Sequence, residues 1–152
     1  MRAALDTQLP DGMRIIAAET IALRSPSIAS RITAFRYHVD VAELINGGGD
    51  APLRHCIAAF HGASDVPLVK HTKGKARTVN ARHFVAELQL HAPATLDATI
   101  RYGTAGTLRP ADLLAIVLHL SPERARALPV CKVDTLMHSD PLSSRVAASL
   151  PG

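Results

Sequence analysis

The sequence predicts an α+β fold, with a mostly antiparallel sheet and helices packed on one of its faces. Three observations lead there. Residues 34–42, 83–92 and 95–103 alternate apolar and polar side chains with period two, the pattern of half-buried strands. Residues 50–62 and 110–118 instead place apolar residues at helical spacing. The link around Pro93 is short enough to join the second and third alternating segments as an antiparallel hairpin.

The elements follow in order. "MRAALDTQLPDGM" reads as the last turns of a helix (Leu5, Leu9) stopped by Pro10-Asp11-Gly12. "MRIIAAETIAL" is apolar and β-branched enough for a strand. Ser25-Pro26-Ser27 breaks it, and Ser27 caps a short helical turn. In "AFRYHVDVA", Phe35, Tyr37, Val39 and Val41 share one face, and Arg36, His38 and Asp40 the other. After Gly47-Gly48-Gly49, Asp50 is placed to cap a helix carrying Leu53, Cys56, Ile57 and Phe60, with Gly62 as its C-terminal stop. "VPLVKHT" is a strand. In "HFVAELQLHA", Phe84, Ala86, Leu88 and Leu90 oppose Val85, Glu87, Gln89 and His91; in the next strand Leu96, Ala98, Ile100 and Tyr102 share a face. Pro110 opens a helix with Leu113, Leu114, Val117 and Leu118, and Ser121-Pro122 opens another. "PVCKVDTLM" closes the sheet. Residues 1–138 thus form one domain, and residues 139–152 a flexible tail.

The chain has 152 residues, of which 47% are hydrophobic, which excludes general disorder and suffices for one core. With no Trp, three Phe and two Tyr, that core is built mainly from Leu, Ile, Val and Ala. The start carries no secretory h-region and no apolar run is long enough to cross a bilayer, so a cytoplasmic protein without a membrane partner is expected. Cys56 and Cys131 fit no zinc or iron–sulfur spacing; each sits in an apolar pattern and is expected as a buried free thiol.

Chemistry concentrates in "VKHTKGKARTVNARHF", residues 69–84. It contains Lys70, Lys73, Lys75, Arg77 and Arg82 and not one Asp or Glu. With a net charge of +4 on the chain, these cations are the candidate contacts to the phosphates of a nucleic acid, RNA above all. The stretch has no aromatic residue before Phe84 on which bases could stack, so a solvated hairpin tip is the competing interpretation. A second, weaker phosphate site is "GTAGTLRP", a glycine loop entering a helix, with Arg101 and Arg109 as its side chains. It lacks the Lys of a P-loop, and a plain strand-to-helix connection explains it as well. No catalytic residue and no metal site emerge. His55 and His61 are six apart on a helix, and His71, His83 and His91 have no close Cys or carboxylate in the sequence. Ser25, Ser27 and Ser30 lack a nucleophile elbow.

Five segments together resemble a known family: "LPDGMRIIAAETIALRSPSI", "ITAFRYHVDV", "KHTKGKARTVNARHFV", "GTAGTLRPADLLA" and "KVDTLM". Their order and spacing are similar to those of the bacterial radical-SAM-linked domain family of unknown function, whose members are fused to, or neighbours of, radical-SAM proteins with a cobalamin-type region. The resemblance implies a radical-SAM protein as partner. It also implies an N-terminally truncated domain, because full-length members carry a further strand and helix before this point. A missing edge strand would leave a sheet edge open to homo-oligomer formation. Two isolated cysteines cannot supply the triad that holds a radical-SAM cluster, so any iron–sulfur cluster and S-adenosylmethionine belong to the partner and no cofactor is expected here. The expected function is a non-catalytic accessory domain that binds RNA through residues 70–82. The alternative is a protein-interaction domain that docks the partner without nucleic acid.

Overall fold

Both edges of strand β1 (Ile32–Asp40) are paired, and the sheet is built around it. The computed structural model describes residue 5 and residues 7–45, 47, 49–72 and 75–138. In chain order these form a helical turn α1 (Ile28–Arg31), β1, helix α2 (Ala51–Gly62), β2 (Pro67–Thr72), β3 (Lys75–Asn80), β4 (Val85–His91), β5 (Thr95–Arg101), helices α3 (Pro110–Val117) and α4 (Pro122–Ala127), and β6 (Val130–Met137). Strands β4-β5-β1-β6, in that order, make a four-stranded antiparallel sheet; β2 and β3 form a separate two-stranded ribbon. The fold is α+β with an antiparallel sheet, as the alternation predicts.

Register explains the core. Phe35, Tyr37 and Val39 stand opposite Ile100, Ala98 and Leu96, so these residues share the inner face of the sheet. Leu88, Leu96, Ile100, Leu113 and Leu114 are each at most 1% exposed and form the centre of the core. Helix α2 packs on β4 and α3, and α3 packs on α4. Helix α2 thus covers the β4 side of the inner face, with α3 and α4 packed in turn behind it. The outer face carries Arg36, His38, Asp97 and Gln89.

Several local expectations need correction. Residues 13–23 form no strand. Ile16, Ile21 and Leu23 are 82%, 76% and 106% exposed. Their β-branched, apolar character favours a strand only where a neighbouring strand and a covering face exist, and here they find neither. The helix expected before Pro10 falls largely outside the described residues. In β4 the register shifts between Val85 and Glu87, so Val85 turns inward (4% exposed) and Ala86 outward. Asp50 makes no cap; its carboxylate takes both Nε and Nη2 of Arg54 at 2.7 Å. Gly62 is the last helical residue, and Ala63 leaves in extended conformation, so no left-handed glycine stop occurs. Cys131 is exposed, not buried, because β6 is an edge strand, and Cys56 is half-buried; both are free thiols. The caps at Ser27 and Ser121 do form, accepting from Ser30 and Arg124 N–H.

Burial on this scale sets a stability expectation. Leu96→Ala should cost about 2–5 kcal/mol, since a filled core site becomes a cavity. Leu23→Ser should stay within about 0.5 kcal/mol. Urea denaturation of the two variants checks both values.

Candidate nucleic-acid interface

The ribbon β2–β3 meets the sheet at two places. At its base, Asn80 Oδ1 accepts from the N–H groups of Val66 (3.1 Å) and Arg82 (2.9 Å), and Asn80 Nδ2 donates to Ser64 O (2.9 Å). Leu68 and Val79 stand opposite each other there and pack on the core. Period two then puts Lys70 and Arg77 on the same face as Leu68 and Val79, one step toward the tip, with Lys75 beyond. The second junction is Lys70. Its ammonium donates to Thr107 O (2.8 Å) and lies 4.8 Å from the centre of the Phe84 ring.

Together these contacts close a cleft of about 510 Å³ between β3 and the loop after β5, with Arg77, Thr78, His83, Arg101, Tyr102 and Thr104 among its lining. No carboxylate is among the lining residues. Lys75 and Arg77 are exposed and have no ion pair among the described residues. Arg101 is held differently: Nη1 donates to Val85 O (2.8 Å) and His83 O (3.2 Å), which fixes the guanidinium in the cleft wall. Gly103 and Gly106 each donate their N–H to the other's carbonyl, at 3.2 and 2.8 Å. Those two amides are thus already bonded within the loop.

The structure therefore divides the sequence-predicted cations. It brings Arg77 and Arg101 together in one cleft, with Lys75 beside them on β3. Lys70 is adjacent, but its charge is engaged by the loop. Arg82 lies apart, 4.9 Å over the Phe60 ring. Arg109 does not line the cleft; it is exposed and pairs with Asp112 at 3.6 Å. Lys73 lies outside the described residues. Sequence reasoning missed Tyr102, Thr78 and His83 as neighbours of these cations. The chain order gives no sign that residues 77–84 and 101–106 meet.

A second polar cluster occupies the outer face. Asp97 on β5 lies between His38 on β1 (Nε2 to Oδ1, 3.3 Å) and His91 on β4 (Nε2 to Oδ2, 3.5 Å). The His38 contact is an ion-pair distance without a hydrogen bond, and Asp97 Oδ1 is otherwise unpartnered. His91, which has no carboxylate close in sequence, thus acquires one through strand register. Among the described residues no three His, Cys, Asp or Glu side chains group as metal ligands, and no helix is long and apolar enough to cross a membrane.

Residues 1–110 match a family described as an uncharacterised protein conserved in bacteria (DUF2344). The chain belongs to that family. The matched span includes the whole ribbon, β5 and the loop after it, so both walls of the cleft fall within the family's extent. No curated protein and no solved structure matches the chain.

Two outcomes test this geometry. Gly106 has φ +86° and a Cβ there would stand 3.2 Å from Lys70 Nζ, so Gly106→Ala should cost about 1–3 kcal/mol, chiefly through the left-handed backbone, read by urea denaturation. Burial raises the Tyr37 hydroxyl pKa above the usual tyrosine value of about 10. In a Tyr102→Phe variant, where Tyr37 is the sole tyrosine, the tyrosinate absorbance should appear above that value. The sign follows from linkage: the folded state holds the proton more tightly, so this contribution to stability is complete below the unfolded value and is lost as pH rises through the folded one.

Proposed function

We propose that this chain is a non-catalytic accessory domain that binds RNA through the cleft between the ribbon and the loop after β5, working beside a radical-SAM protein that carries the cluster and S-adenosylmethionine. The supporting observation is the cleft itself: Arg77 from β3 and Arg101 from β5 line it together with Tyr102 and no carboxylate, and Lys75 stands two residues from Arg77 on β3. Phosphates would take the unpaired cations, and the partner would supply the chemistry. The link to the radical-SAM partner rests on the sequence resemblance alone.

The second reading, a domain that docks a protein partner without nucleic acid, draws on different residues. Ile16, Ile21 and Leu23 are exposed before the sheet, and Val133 and Met137 on edge strand β6 are 43% and 45% exposed.

Salt dependence separates the two. Under the RNA reading, log affinity falls linearly with log salt, and replacing Lys73, Lys75 and Arg77 by Ala flattens the slope by about 2, at about 0.7 per phosphate contact on a single strand. Absence of RNA binding at low salt overturns it. Co-purification of a radical-SAM partner at high salt, unchanged by the same triple substitution, favours the docking reading.

A further inference from the structure

We propose that Phe35, Tyr37 and Tyr102 form a stacking site for unpaired nucleobases next to the cationic cleft. The proposal rests on the RNA reading above and names the part of the ligand that the cations do not recognise.

The chain has five aromatic side chains, three Phe and two Tyr. Two of them behave as core: Phe60 and Phe84 are 5% and 7% exposed. The other three gather elsewhere. The Phe35 ring lies 5.5 Å from that of Tyr102, at 66°, and 6.4 Å from that of Tyr37, at 57°. Tyr102 is 37% exposed, and Phe35 and Tyr37 are half-buried.

All three stand on the inner face of the sheet, because Phe35 and Tyr37 oppose Ile100 and Ala98, and Tyr102 follows Ile100 by two residues. Tyr37 packs in part against the core, while Phe35 is half-buried and Tyr102 is the ring most open to solvent. Cations flank the patch on both sides. Tyr102 shares the cleft with Arg77 and Arg101, and Lys132 of β6 holds its ammonium 4.9 Å over the Phe35 ring. Aromatic rings on the central strands of an antiparallel sheet, bordered by positive charge, suit a single strand whose bases splay onto the rings while its phosphates meet the cations. Bases inside a duplex are already stacked and cannot reach them.

The protein carries its own probe. It has no Trp, and both of its Tyr residues are in this patch, so intrinsic emission reports on the patch alone. The full chain is titrated with an oligoadenylate, an abasic RNA of equal length and charge, and an RNA duplex. Oligoadenylate should quench the tyrosine emission and bind at least about tenfold more tightly than the abasic strand. Tyr102→Leu should remove most of that preference with the salt slope unchanged, and Tyr102→Phe should restore it. Equal affinity for the base-bearing and abasic strands, or binding without quenching, overturns the stacking site and leaves the cleft reading standing. No binding of any of the three at low salt removes the cleft reading and this proposal with it. The quenching arm uses the unaltered protein, so the test holds even if Tyr102→Leu fails to fold.

Discussion

The ammonium of Lys70 ties together two β structures that share no strand pairing. Apart from Lys70, the hydrogen bonds of the ribbon β2–β3 among the described residues lie within it and at its base around Asn80. A two-stranded ribbon in water is marginal without something to pack on. Lys70 supplies the upper attachment, donating to Thr107 O while lying over Phe84. A half-buried charge is tolerated there because a carbonyl and a ring face compensate its lost hydration. Gly106 makes room: its positive φ turns the loop beneath the ammonium, and it has no Cβ to crowd it. This contact, with the Asn80 bonds and the packing of Leu68 and Val79 on the core, holds the two walls of the cleft together, and it is made by a residue that itself offers little charge to a ligand.

The charges are distributed unequally between the two faces of the sheet. On the outer face acidic and basic side chains are neighbours: Asp97 lies between His38 and His91, and Arg36 approaches Asp134 at 3.9 Å. On the cleft side Lys75 and Arg77 have no ion pair among the described residues. Exposed ion pairs of this kind add little stability. The unpaired cations at the cleft favour approach of an anion from that side.

Strand alternation was legible in the residues themselves. Phe35, Tyr37 and Val39 on one face and Leu96, Ala98 and Ile100 on another strand's matching face follow from period two, and the register joins them. Where the sequence misleads, a local physical cause is visible. The shift at Val85 exchanges it with Ala86 because a bulge interrupts the period, and periodicity cannot show its own interruption. Residues 13–23 have the propensity of a strand, yet propensity does not supply a partner. The cleft was less legible still. Five cations in one stretch look equivalent in sequence, and only tertiary contacts distinguish Arg82 on Phe60 and Lys70 on Thr107 from the unpaired Arg77.

The three rings of the inner-face patch are not equivalent either. The Phe35 ring already carries a cation–π contact from the Lys132 ammonium. Tyr37 is held partly by the core, and its hydroxyl is desolvated. Tyr102 has no cation over its ring among the described residues, is the most exposed of the three, and faces the cleft. Its ring is oriented by the edge-on contact with Phe35. Of the three rings, Tyr102 is thus the one open toward the cleft, held at its angle by Phe35.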